Sequence, residues 1–265
     1  PRGTVTAPAT ILRNALRPGY CTTMVDKVLT RIADRKHAGT RTAAAAWAAE
    51  RAEPSAAFAA RIDPALWAEA QRFAADLEQL AAERLGPLRE QGVVLGGGGD
   101  YGLVYFLTRR LRPRTVVETG VAAGFSSQAF LRALAANGDG GQLWSSDFPY
   151  FRLANPEQYV GLLVDGELRS AWQLYLRGDR ANLRRILAEV DHIDLFHYDS
   201  DKSYRGRAFA LARVQPRLDA RSHVVFDDID DNTHFRDLVE RTGAPYRVFG
   251  FGNKYLGLIG ELAEA

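Results

Sequence analysis

Residues 116–127 read Val-Val-Glu-Thr-Gly-Val-Ala-Ala-Gly-Phe-Ser-Ser. A short apolar run ends on Glu118, Thr119 leads into Gly120, and Gly124 precedes Ser126 and Ser127. The residues that follow, QAFLRALAANG, predict a helix with a glycine stop. Glycines between a strand and a helix let a ligand approach backbone N–H groups at the helix start. Glu118 is then placed at the carboxyl end of the strand, where α/β folds bind ligands. The spacing is E-x-G-x-x-x-G-x-S. It is not G-x-G-x-x-G, because position 122 is Ala, and no G-K-[ST] of a P-loop occurs. That counts against a nicotinamide-dependent oxidoreductase.

Further along, the chain alternates. QLWSSD (142–147), IDLFHYD (193–199) and SHVVFDD (222–228) read as strands, and ANLRRILAEV, RGRAFALARVQPRL and THFRDLVERTG as helices. Alternation of this kind predicts a parallel sheet. YRVFGF and YLGLIG, separated by a Gly-Asn turn, predict a closing antiparallel hairpin.

Three of these strands end in acids. Asp147 is placed to accept hydrogen bonds from ribose hydroxyls, or to cap a turn. Asp199, Asp227 and Asp228 end neighbouring strands and are expected to converge on one edge. Three carboxylates with open positions suit Mg²⁺ or a similar hard cation, which removes their mutual repulsion. Lys202 lies three residues past Asp199 and is a candidate general base, a role Arg cannot fill. It is one of four lysines, with Lys27, Lys36 and Lys254, so lysine is informative here. Asp179 follows Gly178 ahead of a helix, as a helix cap or a ligand contact. His234 is a further catalytic candidate, with Asp201, His197 and His223 behind it.

Before residue 93 no strand is expected. Asp63-Pro64 reads as a cap and first helical residue, and the helix after it is broken at Gly86-Pro87. We read residues 1–92 as a helical N-terminal subdomain, for oligomerisation or as a substrate lid, and 93–265 as the catalytic domain. The aromatic-rich segment from Phe148 to Trp172 is expected to line or cover an acceptor site.

The 265 residues are 46% hydrophobic and 25% charged, which excludes a disordered or collagen-like chain. A formal net charge of +2, with no basic stripe, argues against nucleic acid as partner. No long apolar run predicts a membrane span or leader, and one cysteine excludes an internal disulfide, so a cytoplasmic setting is expected.

VVETGVAAGFSS resembles motif I of class I S-adenosylmethionine-dependent methyltransferases. YDSDKSY (198–204) resembles the D-A-D-K segment of the caffeoyl-CoA and catechol O-methyltransferases, and VVFDD resembles the macrocin-type sugar O-methyltransferases. The resemblance covers about residues 95–260. It implies a Rossmann-like seven-stranded sheet, mostly parallel, with the last strand inserted antiparallel. It implies Glu118, Thr119, Gly120, Gly124, Ser126 and Ser127 around the cofactor, Asp147 on its ribose and Asp179 near its adenine. It places Asp199 beside both cofactor and metal, with Asp227 and Asp228 on the metal and Lys202 as base. Catechol-type relatives carry Asp-Asn where this chain has Asp227-Asp228, and macrocin-type relatives lack the lysine. The expected activity is S-adenosylmethionine-dependent, Mg²⁺-assisted methylation of a hydroxyl on a small molecule of a biosynthetic pathway, by a chain that forms a homodimer. The same fold also allows an elimination, cyclisation or hydroxylation.

Overall fold

The computed structural model of the chain describes residues 8–17, 19–97 and 99–262. Two helices come first, α1 (Pro8–Ala15) and α2 (Tyr20–Ala33), followed by α3 (Arg41–Arg51). A three-residue strand, β1 (Ala52–Pro54), precedes α4 (Ser55–Ile62), α5 (Pro64–Glu90) and α6 (Tyr101–Leu111). The central alternation is β2 (Thr115–Thr119), α7 (Phe125–Asn137), β3 (Gln142–Ser146), β4 (Trp172–Tyr175), α8 (Asp179–Glu189), β5 (Leu195–Tyr198) and α9 (Tyr204–Val214). It closes with β6 (His223–Phe226), α10 (His234–Thr242), β7 (Tyr246–Phe251) and β8 (Lys254–Ile259).

The strands form one sheet in the order β1-β7-β8-β6-β5-β2-β3-β4. All neighbours are parallel except where β8 inserts between β6 and β7, antiparallel to both. The chain builds outward from β2 through β3 to β4, then crosses back to β5 on the other side. The carboxyl end of β2 is therefore a topological switch point, where such sheets open a crevice.

Among the described residues the sheet has eight strands, not seven. The extra one is β1, which pairs parallel with β7 through Ala52, Glu53 and Pro54. Its composition carries no strand signal. It is an edge strand, where Pro54 forfeits no ladder bond on its free side. Asp63 caps α5 by accepting from the Leu66 amide at 2.9 Å, with Pro64 in the first turn. The helix then runs through Gly86-Pro87 instead of stopping there, because Pro87 stands in the last turn, where a single intrahelical bond is lost.

Successive residues of a strand face opposite sides of the sheet, and each side has its core. Val116 joins Phe130, Leu143 and Phe249, whereas Val117 joins Leu183, Phe196 and Val248. The helices ahead of residue 93 are built into both. Phe58, Ile62 and Leu77 lie in the first core, and Trp47 and Ala48 in the second. Among the described residues no helix is long and apolar enough to cross a membrane.

Candidate active site

Three acids stand one residue past their strands, with their amides still in the ladder. Asp147 N–H donates to Tyr175 O (2.9 Å), Asp199 N–H to Thr119 O (2.8 Å) and Asp227 N–H to Tyr198 O (3.0 Å). Their side chains are thereby fixed along one edge of a cavity of about 1060 Å³. This cavity is also lined by Gly120, Ser126, Asp179, Lys202 and Asp228.

On one side of the cavity Asp147 accepts from the amides of Ala122 (2.9 Å) and Phe148 (2.6 Å). Burial pushes its carboxyl up to about 6, with Asp179 adding to the shift and Lys27 opposing it. Asp179 opens α8 and accepts from the hydroxyls of Ser146 (2.7 Å) and Ser200. Burial raises it too, against those two bonds. Lys27, on α2, lies 5.1 Å from the ring centre of Phe148 and lines the same wall. Two acids that accept hydrogen bonds, an aromatic ring and a glycine turn fit a nucleoside with ribose hydroxyls.

Glu118 lies beneath this wall. It is fully buried and accepts from Ser126 (2.5 Å), Ser127 (2.6 Å) and Ser145 (2.8 Å) hydroxyls. Burial pushes it up to about 7 despite those donors. Its expected place against the cofactor is corrected. Glu118 acts from below by orienting Ser126, which does line the cavity, while Ser127 and Thr119 are fully buried outside the lining.

The glycines also work differently from the expectation. A Cβ on Gly120, whose φ is +88°, would collide with the Asp199 carbonyl. One on Gly124, φ +98°, would lie 2.8 Å from the Gly161 Cα. Both glycines admit the protein's own backbone, and Gly124 is not part of the lining.

On the other side Asp199, Asp227 and Asp228 bring one oxygen each to within 4.8 Å of one another. The Lys202 ammonium stands among them, paired with Asp199 and 2.6 Å from Asp228 Oδ2. Lys254 Nζ lies 3.0 Å from Asp228 Oδ1. Burial drives Asp227 up to about 6, with Asp199 and Asp228 adding to it. Asp228 is buried as well, but Lys202 and Lys254 hold it below the usual carboxylate range. For Lys202, burial favours the neutral amine, and the three acids outweigh it, so its pKa is raised. An all-oxygen set gathered around a cationic group fits a hard divalent ion.

With the three acids facing it, Lys202 is held in its ammonium form. The expected place of His234 is corrected. It starts α10 and is buried between Tyr204 and Phe226 outside the cavity lining, and burial lowers it to about 3, helped by Arg207 and Arg241. His223 is at the far end of β6, against the Glu261 carbonyl. His197 does line the cavity, lowered to about 4 chiefly by burial.

Sequence reading gave no role at the site to six contributors. Lys254 reaches the cluster only because β8 runs backwards. Lys27 arrives with α2, which lies along the cavity through Thr23, Leu29 and Ile32. Gly96, Gly97 and Gly99 form part of the wall, and the Gly96 amide donates to Tyr150 Oη at 3.0 Å. Arg207, wholly buried, donates to the Asp228 carbonyl at 2.7 Å. Of the aromatic segment, Phe148 and Tyr150 line the cavity, whereas Trp172 is buried on β4 and donates to Ser145.

Residues 117–229 match a family model described as a methyltransferase domain. The O-methyltransferase of Bacillus cereus in complex with S-adenosylhomocysteine superposes with a TM-score of 0.53 at 13% identity, over 70% of this chain and 90% of that one. A methyltransferase of Geobacter sulfurreducens gives 0.51 at 20%, over 73% and 96%. The S-adenosylhomocysteine-bound Podospora anserina methyltransferase PaMTH1 gives 0.51 at 12%, over 74% and 96%. At these identities the likeness is one of fold. A Sinorhizobium fredii (strain NBRC 101917 / NGR234) protein described as uncharacterized protein y4gI is 29% identical over 144 residues, which is 51% of this chain and 15% of that relative. The chain thus spans a small part of that relative's length. A methyltransferase domain thus matches the central strands, and the chain has the fold of these methyltransferases, with an acid-edged cavity at its switch point.

Proposed function

We propose that the chain methylates a hydroxyl of a small molecule with the help of a divalent cation. The observation that carries this reading is that the Asp199, Asp227 and Asp228 cluster opens into the same cavity as Asp147 and Asp179. A methyl donor and an acceptor oxygen can therefore share one enclosed space, and positioning of that kind supplies much of the acceleration in group transfer.

S-Adenosylmethionine, when bound, supplies an electrophilic methyl group. A divalent cation, when bound, lowers the pKa of the acceptor hydroxyl. Asp147 holds the ribose hydroxyls and Asp179 lies towards the base. Asp199, Asp227 and Asp228 hold the cation. Lys202 Nζ is the proton acceptor, and it becomes one once Asp199 and Asp228 are engaged elsewhere and no longer hold its ammonium form. Helix α2 excludes water from the cavity. The region before residue 93 serves as part of the acceptor lid, and a homodimer through it and a role in a biosynthetic pathway belong to the same proposal.

Calorimetric titration with S-adenosylhomocysteine, with and without Mg²⁺, tests it. The wild type is expected to bind both. The Asp227→Ala/Asp228→Ala protein is expected to keep the nucleoside and lose the cation and turnover. Undiminished turnover in that double variant would remove the cation from the mechanism.

A further inference from the structure

Asp228 stands where catechol-type relatives carry a neutral Asn, so this chain would place a third carboxylate on a cation held there. Three aspartates close together repel one another, and each added charge strengthens the hold on a cation. The structure supplies a matching opposite charge. Lys254 is the first residue of β8, and the antiparallel insertion of that strand beside β6 brings it to the edge where β6 ends. Its Nζ faces Asp228 Oδ1 at 3.0 Å, while Oδ2 of the same carboxylate faces Lys202.

Asp228 is held in place for this pairing. Its backbone is in the left-handed region, with φ of +50°, and its carbonyl is fixed by the buried Arg207 guanidinium. The carboxylate therefore has one oxygen turned to the hairpin and one turned to the cluster. Three carboxylates against two ammonium groups leave one net negative charge, the same balance that two aspartates and one lysine would give.

We infer that Lys254 is the counter-charge to Asp228: it lets the chain hold its cation with two adjacent aspartates without holding it too tightly, and it offsets the third carboxylate where an acceptor oxyanion develops. Lys254 is a positioning residue in this sense, and the inference rests on the cation-assisted reading above.

The sign of the effect is opposite to that of a structural prop. Neutralising Lys254 makes the cluster more negative, so the cation binds more tightly while the acceptor oxyanion is less favoured. At this separation and partial exposure a unit charge is worth on the order of tenfold in affinity. The test is Mn²⁺ titration by calorimetry and paramagnetic resonance, in saturating S-adenosylhomocysteine, on the wild type, Lys254→Met, Lys254→Arg, Asp228→Asn and the Asp228→Asn/Lys254→Met double variant. Lys254→Met is expected to bind Mn²⁺ about tenfold more tightly, Asp228→Asn about tenfold more weakly, and both the double variant and Lys254→Arg within about threefold of the wild type. S-Adenosylhomocysteine affinity reports that each variant is folded. Unchanged or weaker Mn²⁺ binding by Lys254→Met would overturn the inference, as would a double variant as weak as Asp228→Asn alone. A wild type that binds S-adenosylhomocysteine but no Mn²⁺ would overturn the cation reading, and the inference with it.

Discussion

The amide of Asp199 donates to the carbonyl of Thr119 at 2.8 Å, one step beyond the last paired residues of β5 and β2. This bond clamps one acid of the Asp199, Asp227 and Asp228 cluster to the start of the glycine turn. Directly after it, Gly120 packs its α-carbon against the Asp199 carbonyl with no room for a side chain. Gly120→Ala is therefore expected to cost about 2–4 kcal/mol of stability, from a strained φ and a backbone collision together. Chemical unfolding measures it. A variant as stable as the wild type would show that the two strand ends are not clamped.

The acids at the strand ends were legible because each closes an apolar run, and a parallel sheet sends such ends to one edge. The scarcity of lysine pointed to Lys202 alone, yet Lys27 and Lys254 line the cavity beside it. What could not be read was direction and docking. Lys254 begins a strand, and only its antiparallel insertion brings that beginning to the cavity edge. A helical pattern in α2 shows which residues share a face, not what that face lies on. In β1, Ala-Glu-Pro has no alternation to read, and its pairing is dictated by β7. His234 had the right distance along the chain but is turned into the core between two rings.

Glu118 gives a pH dependence with a definite sign. Its ordinary value is 4.5 and burial raises it to about 7 in the fold. The folded state therefore holds its proton more firmly, and the stability this group contributes is present below about pH 4.5 and lost as pH rises through 7. Ser126, Ser127 and Ser145 donate to it, and His197 and Asp147 stand nearby. Glu118→Gln lacks this titration. The stability difference between the two proteins is expected to move towards the Gln variant by roughly 3 kcal/mol between pH 4 and 8. Urea unfolding across that range measures it, and a constant difference would refute it.

Gly178 sets how α2 sits on the cavity. Its φ is +79°, and a Cβ there would lie 2.6 Å from Thr23 Cγ2. Thr23 also donates to the neighbouring Arg177 carbonyl at 2.9 Å. Gly178→Val is expected to push α2 off the wall, speed tryptic cleavage within residues 8–33 and weaken S-adenosylhomocysteine several-fold. Unchanged proteolysis would show that this contact does not hold the helix.

Lys202→Arg separates holding charge from moving a proton. Arginine keeps a cation beside Asp199 and Asp228 but does not give up its proton. Melting temperature and S-adenosylhomocysteine affinity are expected to stay near the wild type. Methyl transfer is expected to fall about 10²–10⁴-fold. Full activity in this variant would exclude Lys202 as the proton acceptor.

The reversed course of β8 has one more consequence. Loops that follow the parallel strands must deliver the chain into a helix, so their length is tied to the route. Gly252 and Asn253 carry the chain only from Phe251 to Lys254, straight back into the sheet. Residues can be exchanged or added in this hairpin without rerouting anything downstream, and the strand it returns begins at the cavity with Lys254. On the proposed function, preference among acceptors has a place to drift there while the acids that follow β3 and β5 stay as they are.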